Sequence, residues 1–457
     1  VTDPLFQFQT VMRDFLVARD RGFMAADMGL GKTRVAIEAA GVRGFKRKLV
    51  VAPAIGLVSW PGELSKWSDE ACLAVSDPAL LPDSTSESLW AIAPFSEVQR
   101  NPRAWVEAAH RFRADLTVID EAHYAKEQSS ARAQALYGWR MDLKNSICLP
   151  EQSIWPMSGT PAPNYTSELW THLHALAPVS ITSPRTRQPM SYQEFLERFA
   201  VTRTSSYGQH VTGSRNTEQL RLATNSFFHR IRKTEARPDM PPILWTAEPI
   251  PAGNVPELNV PEGISDENLV AYLDTAFPSG SSERKAVGLA KVPGVVEWAR
   301  AFLAGSDRKL IIFAWHRDVV RQITRALGPE FGAVSIDGDT SLALRNAAVS
   351  SFQLPAGPRV FVGQMLACGT MLTLTAASDV AFAEDDWTPG TMEQAAARAD
   401  RLGQLRGVRA VILHAPTKKD KRIARVRVDK ANGLELMFGQ DKIKEEQWKA
   451  FRRSPEK

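Results

Sequence analysis

Cysteine is scarce in this 457-residue sequence. Cys72, Cys148 and Cys368 are widely separated, with no CxxC pair and no Cys/His cluster. Neither a disulfide framework nor a structural zinc site fits that pattern, and a reducing compartment is expected. Long apolar runs are missing as well. The longest clean one, Leu310 to Trp315, is far below the roughly 20 residues of a membrane span, so no membrane partner is expected. Val1 to Leu5 carries no basic segment followed by an apolar one, which excludes a visible secretory signal. No Met stands at position 1, which predicts a processed or otherwise trimmed chain. The expected location is the cytoplasm of a bacterium or phage host, or the nucleus of a eukaryote. The Ala- and Arg-rich composition leans toward a GC-rich bacterium or its phage. There is no internal repeat and no extended low-complexity segment.

Charge of one sign is not in large excess either, since the net value is +5. Its distribution is uneven. Arg185 to Arg237 carries +6 and Lys418 to Lys457 another +6, which leaves the remainder at −7. Two solvated surfaces or two footprints for a polyanion fit this equally well. Hydrophobic residues at 44% and charged residues at 23% exclude a disordered or fibrous chain. The length suits about three domains of about 150 residues, or two lobes of about 230.

The first 180 residues alternate strand-like and helical patterns. Gly22–Ala26, Lys48–Ala52, Leu89–Ile92 and Leu116–Ile119 read as strands, with helices over Thr33–Ala40 and Ser130–Arg140. The alternation resumes with strands at Lys309–Ala314, Ala333–Ile336, Val360–Val362, Val380–Ala383 and Ala410–Leu413, and helices at Val295–Leu303 and Asp318–Leu327. Such βαβ order predicts two α/β lobes, each a parallel sheet with helices on both faces. Between them, Pro238 to Pro261 holds seven prolines, too many for one long helix, and is the expected interlobe connection. Phe227, Phe228 and Ile231 read as the core-facing side of a helix whose basic face points outward. A short helical tail is expected at Lys442–Phe451.

The most informative segment is Ala26-Asp-Met-Gly-Leu-Gly-Lys-Thr33, between a strand and a helix. Such a loop turns backbone N–H groups around a β-phosphate at a helix start whose dipole favours anions. Lys32 would reach the β/γ-phosphates and Thr33 would ligate Mg²⁺. Ala26 stands where the phosphate-loop pattern has glycine, while Gly29 and Gly31 remain where backbone approaches phosphate. The second segment, Leu116-Thr-Val-Ile-Asp-Glu-Ala-His123, is an apolar strand ending in two carboxylates. Asp120 would hold the magnesium shell and Glu121 would take a proton from the attacking water. Ser158-Gly-Thr-Pro161 follows about 35 residues on.

DEAH after the phosphate loop, then SGTP, resembles a superfamily-two helicase, and more narrowly the Swi/Snf-type DNA translocases of the annealing-helicase branch. Leu5-Phe-Gln-Phe-Gln9 is similar to that branch's adenine-reading opening. Trp60, Glu63 and Trp67 match its W…E…W segment. Asn164 and Glu168-Leu-Trp170 extend its coupling motif. Phe228-His-Arg-Ile-Arg-Lys233 with Met240-Pro-Pro242, after Gly208, Gly213 and Asn216, resembles the closing stretch of the first lobe. Ala290-Lys-Val-Pro293, Ile311 to His316, Ile336 to Ser341, Thr375 to Ser378 and Phe382 to Glu384 with Trp387 resemble the second. Gln394-Ala-Ala-Ala-Arg-Ala-Asp-Arg-Leu-Gly-Gln404 closes the series. Met371 stands for a glycine of the branch and Asp400 for its usual histidine.

The resemblance implies two tandem RecA-like lobes with an ATP cleft between them. Lobe one would be 1–240, with a basic helical insertion about 180–237. Lobe two would be 241–457, with the connection, an arginine-finger motif and a short basic tail. It implies ATP and Mg²⁺ as the bound species and Gln9, Met28, Gly29, Leu30, Gly31, Lys32, Thr33, Arg34 and Gln394 around the nucleotide. Arg398 and Arg401 are three apart, so a helix would put both on one face, and their planar forks suit a γ-phosphate. Strand contacts are expected from Pro53, Ser96 and Thr160 in lobe one and His316, Thr340 and Thr373 in lobe two. His123, Ser158, Gly159 and Trp387 would couple them to the nucleotide. The implied track is double-stranded or branched DNA, with fork remodelling or strand annealing as the implied use. A single-stranded or RNA track and an inactive DNA-binding ATPase scaffold are the competing readings from the residues alone.

Overall fold

The computed structural model describes residues 4–84, 86–162, 165–205, 208–236, 281–368, 372–384, 389–401, 403–418, 420–426 and 428. Between 237 and 280 it describes 238, 241, 243–251, 255, 256, 259–261, 263–266, 269, 272, 273 and 276. The chain divides into two compact units, Val1–Asp239 and Met240–Lys457.

Unit 1 is built on seven parallel strands. They are β1 (Phe23–Ala26), β2 (Arg47–Ala52), β3 (Ala71–Ala74), β4 (Leu89–Pro94), β5 (Leu116–Asp120) and β6 (Ser153–Met157). A two-stranded antiparallel hairpin, β7 (Ala200–Ser205) and β8 (Gly208–Ser214), precedes the seventh, β9 (Phe228–Ile231). The sheet order is β3-β4-β2-β5-β6-β1-β9. Its central strands are buried on both faces: Leu49 and Val51 belong to one core while Val50 and Ala52 are equally inaccessible. Runs without polar alternation are what a doubly covered parallel sheet requires.

Unit 2 repeats the plan with β10 (Leu244–Pro249), β11 (Leu310–Ala314), β12 (Ala333–Ile336), β13 (Val360–Gln364), β14 (Asp379–Phe382) and β15 (Arg409–His414), ordered β10-β15-β14-β11-β13-β12. Alternate residues of one strand serve two cores. Ile311 and Phe313 pack with Phe352, Phe361 and Phe382, whereas Leu310, Ile312 and Ala314 pack with Val295, Ala299 and Val320. The expected parallel sheets flanked by helices are therefore present in both units.

Several elements differ from expectation. Phe228 and Ile231 lie on strand β9, not on a helix, and Phe227 enters it; Phe23 to Ala26 pair with Phe228 to Ile231 residue by residue. Phe227 and Phe228 ring-pack on Phe23, and that long-range core overrides a locally ambiguous pattern. The stretch 180–237, expected to be helical, holds the hairpin and β9 as well as the helices Tyr192–Phe199 and Thr217–Thr224. Part of the proline-rich stretch is an edge strand, β10, in which Trp245 stacks on Phe382 at 5.6 Å. Pro249 sits at its end, where a missing N–H costs little. The helix expected over Ser130–Arg140 stops at Tyr137, because Gly138 turns into the left-handed region at φ +79°. No described helix is long and apolar enough to cross a membrane. The expected tail Lys442–Phe451, with Asn164, Met240, Pro242, Gly369, Met371 and Trp387, lies outside the described residues.

Candidate nucleotide and nucleic-acid site

In the sheet of unit 1, β5, β6 and β1 are neighbours. The three motif loops leave their carboxyl ends side by side, where open α/β sheets place ligands. Met157, the last residue of β6, is opposite both Asp120 and Met24, and Ser158 N–H donates to the Met24 carbonyl at 3.2 Å. Residues distant in the chain, 26–33, 120–123 and 158–160, thus form one ledge.

The phosphate loop takes its shape from Gly29 and Gly31, both at φ +79°, a conformation glycine adopts without a Cβ clash. Gly31 is also the left-handed residue just before the helix Lys32–Arg43, which Thr33 helps to open. A Cβ at Gly31 would lie 2.5 Å from Gln9 Nε2. Gln9 is seated on this loop: its Nε2 donates to the Leu30 carbonyl at 3.2 Å, and its Oε1 accepts from Phe6 N at 3.1 Å. Leu30 is fully buried. Met28 packs against Gly159, where a Cβ would come 3.0 Å from Met28 Cγ. Lys32 Nζ donates to the carbonyls of Ala26 at 2.8 Å and Asp27 at 3.2 Å. Burial pushes its ammonium below the usual lysine range, while the carboxylates of Glu121, Asp120 and Asp27 pull it back up. Arg34 holds its guanidinium 3.7 Å over the Trp67 ring.

Asp120 and Glu121 differ in setting. Asp120 is buried at the strand end, where its Oδ1 accepts from Glu121 N at 3.0 Å and its Oδ2 from Trp60 Nε1 at 3.0 Å. Burial and then the Glu121 charge push its carboxyl upward, opposed by the Trp60 N–H and Lys32. Glu121 lies in the left-handed region at φ +52°, uncommon for a residue with a side chain and most often found at functional turns. Hard oxygen donors carrying poorly compensated negative charge fit a magnesium ion; Asp120 and Thr33 are the residues that would hold it.

Trp60, the first residue of the W…E…W segment, is therefore a hydrogen-bond donor to this carboxylate, in addition to lying against Trp90 at 5.8 Å. Trp60→Phe keeps an aromatic ring of smaller size and deletes the donor. It is expected to raise the Mg²⁺ concentration for half-maximal ATP hydrolysis about 10-fold with the fold intact by circular dichroism; an unchanged Mg²⁺ requirement would reduce Trp60 to packing.

His123 joins the second and third loops. Its Nδ1 is 2.9 Å from Ser158 Oγ and 3.4 Å from Glu121 Oε2, and Ser158 Oγ also accepts from Thr160 N at 3.1 Å. Behind them Lys126 pairs with Glu168. Pro53, Ser96 and Thr160 follow β2, β4 and β6 by one, two and three residues, so all three occupy the same edge of the sheet as the ledge.

Unit 2 carries its own loop system. Glu384 Oε2 accepts from the N–H groups of Trp315 and His316, both at 2.9 Å, and its Oε1 is 2.7 Å from His316 Nδ1. Thr340 bonds Asp337, through its Oγ1 to Oδ1 at 3.1 Å. Gln394 is half-buried on the helix Pro389–Ala396. That helix ends before Arg398, so the arginines are not helical neighbours. They sit in a run of tight turns, with Arg398 N donating to Ala395 O, Ala399 N to Ala396 O and Gln404 N to Arg401 O. Ala395, Ala396 and Ala399 are all buried in the core of unit 2. Arg401 Nη1 donates to Thr373 Oγ1 at 3.2 Å, linking a proposed phosphate ligand to a proposed strand contact. Gln404 fastens the segment, its Nε2 donating to the carbonyls of Thr375, Ala377 and Ala399.

Sequence reasoning gave Arg230, Glu384 and Gln404 no role of their own, although all three stand inside quoted motifs.

Comparison with known proteins agrees with this geometry. A helicase conserved C-terminal domain model matches residues 294–403. The DNA annealing helicase and endonuclease ZRANB3 of Bos taurus is 26% identical over 425 residues, covering 88% of this chain and 38% of that protein. The SWI/SNF-related matrix-associated actin-dependent regulator of chromatin subfamily A-like protein 1 of Xenopus tropicalis is 29% identical over 434 residues, covering 88% and 42%. The chain thus spans about two fifths of the length of these curated relatives. A solved structure, the Sulfolobus solfataricus SWI2/SNF2 ATPase core in complex with dsDNA, aligns over 96% of this chain and 94% of its own, with 20% identity and a TM-score of 0.44. The SNF2-related domain model matches residues 10–244, more than half of the sequence, and on that match, together with the loops built on β1, β5 and β6, the chain belongs to the SNF2-related family.

Proposed function

We propose that this chain is the engine of an ATP-driven translocase that moves along double-stranded or branched DNA. One observation carries the reading: the phosphate loop, the Asp120–Glu121 pair and the Ser158–Thr160 loop converge on adjacent strands, with Lys32 under the influence of both carboxylates and His123 bonded to Ser158. Backbone N–H groups from Gly29 to Thr33 cradle the phosphates. Lys32 exchanges its carbonyl partners for phosphate oxygens. Thr33 and Asp120 would hold magnesium, which when bound would offset phosphate charge. Glu121 orients the attacking water and accepts its proton. Gln9, fixed to Leu30, marks the adenine side, and Arg398 and Arg401 add positive charge to the γ-phosphate during turnover, as their motif suggests.

DNA as the track is supported by the relatives, one of which is named a DNA annealing helicase. Arg185, Arg187, Arg203 and Arg215 are exposed, which suits sequence-blind phosphate contact. Fork remodelling or strand annealing is the finer part of this proposal, and it belongs to a protein that acts in the cytoplasm or nucleus.

ATP hydrolysis measured against duplex DNA, forked DNA, single-stranded DNA and structured RNA tests the reading, with Lys32→Ala as the inactive reference. Duplex or forked DNA is expected to stimulate most, with the half-stimulating concentration rising steeply with salt. Equal or better stimulation by RNA would overturn the DNA assignment. ATP-dependent closure of a DNA bubble is the corresponding test of annealing, and no gain over buffer would remove that role.

A further inference from the structure

The observations reach furthest at Arg230. Strand β9 runs parallel to β1 with Arg230 opposite Ala25. From there the guanidinium spreads over three partners. Its Nη1 donates to the carbonyls of Ala25 at 3.1 Å and Gly159 at 3.0 Å, and its Nη2 donates to Asp27 Oδ1 at 2.7 Å. Asp27 is also held on its other atoms by the end of β9 and by the start of the helix Lys233–Ala236 that follows it. Its Oδ2 accepts from Lys233 N at 2.8 Å, and its N–H donates to the Ile231 carbonyl at 3.0 Å. One planar fork therefore grips both the entry to the phosphate loop and the middle residue of Ser158-Gly159-Thr160.

Stability alone does not account for this arrangement. The Arg230 and Asp27 side chains are 30% and 28% exposed, and ion pairs with that access to water contribute on the order of 1 kcal/mol or less. Position is the more telling property. The Asp27 carbonyl is one of the two that accept from Lys32 Nζ, so Asp27 faces the phosphate-binding lysine through its backbone and Arg230 through its carboxylate. Met28, the next residue, is in contact with Gly159. Any change in what Lys32 binds is felt at Asp27 and has a direct route to Gly159. Such a route is useful only if it has two alternative arrangements, each favoured by a different ligand.

Resting on the translocase reading, we propose that Arg230 is a positioning residue that couples occupancy of the phosphate loop to the Ser158–Thr160 loop, and through it to DNA affinity. It touches neither substrate in this role. Its planar fork matters because it presents Nη1 to the Gly159 carbonyl and Nη2 to the Asp27 carboxylate in a fixed geometry, which the single nitrogen of a lysine does not reproduce.

The test compares wild type, Arg230→Lys and Arg230→Gln. Duplex-DNA affinity is measured with and without a non-hydrolysable ATP analogue, alongside analogue affinity, ATPase rate with and without DNA, and circular dichroism. Arg230→Lys keeps the charge and guards against misfolding. Both variants are expected to bind the analogue within about 3-fold of wild type and to keep basal hydrolysis within a similar factor. Both are expected to lose about 10-fold of the nucleotide-dependent change in DNA affinity, equivalent to about 1.4 kcal/mol of coupling, and of DNA stimulation. An Arg230→Lys protein that keeps the full change in DNA affinity overturns the inference, as does one that loses analogue binding and coupling in equal measure. A wild type whose hydrolysis ignores DNA would remove the translocase reading itself; a stimulated wild type with unaltered variants overturns this inference alone.

Discussion

Glu121→Gln is expected to slow ATP hydrolysis about 10²–10⁴-fold, the range associated with a positioned general base, while nucleotide affinity stays within a few-fold. The substitution is nearly isosteric and removes one negative charge beside Asp120 and Lys32. That charge disfavours the Asp120 anion, so its loss leaves the magnesium ligand ionised; Lys32 loses one favourable carboxylate and keeps those of Asp120 and Asp27. Rates from single-turnover hydrolysis, set against affinity from a fluorescent analogue, separate the two effects. An inactive scaffold would show no change in turnover, and a protein that loses binding as severely as rate would assign Glu121 to binding rather than chemistry.

Arg401→Ala carries the second large effect. An arginine acting on the transferring phosphoryl group accounts for about 10³–10⁵ in rate, so hydrolysis is expected to fall about 10³-fold with analogue affinity within a few-fold. The side chain also bonds Thr373 Oγ1, and releasing that hydroxyl adds a DNA-dependent component. The measurement is therefore made first without nucleic acid, where only the phosphoryl role contributes. Comparable losses in binding and rate would argue against action on the transition state.

The nucleotide loops were legible because each is a contiguous string whose residue types have one combined use. Glycines at 29 and 31 followed by Lys32-Thr33, and an apolar strand ending in Asp120-Glu121, need no distant partner to be read. The strand between them was not. Sheet strand β6 contains Pro156, which argues against a central strand. It is tolerated beside a short ladder, in which Met24 and Met157 are the only paired residues between β1 and β6. Strand β9 was hidden for a different reason: Phe227-Phe228 and Ile231 suit a helical spacing as well as a strand, and pairing with Phe23 to Ala26 decides between them. Prolines masked β10 in the same way.

Side-chain partners were the least legible layer. Trp60 is 60 residues from Asp120, and Arg230 is 203 from Asp27. Spacing along the chain does not encode such pairs, which exist only once β1, β5 and β9 are in register.

The left-handed backbone at Glu121 has a geometric consequence. In a strand that simply continued, consecutive side chains would fall on opposite sides of the sheet, and two adjacent acids could never attend to one substrate. A single reversed dihedral at φ +52° breaks that alternation at the strand tip. Both carboxylates then lie within electrostatic reach of the same ammonium, and two neighbours in sequence can divide ion-holding from proton-taking without a second strand to carry either.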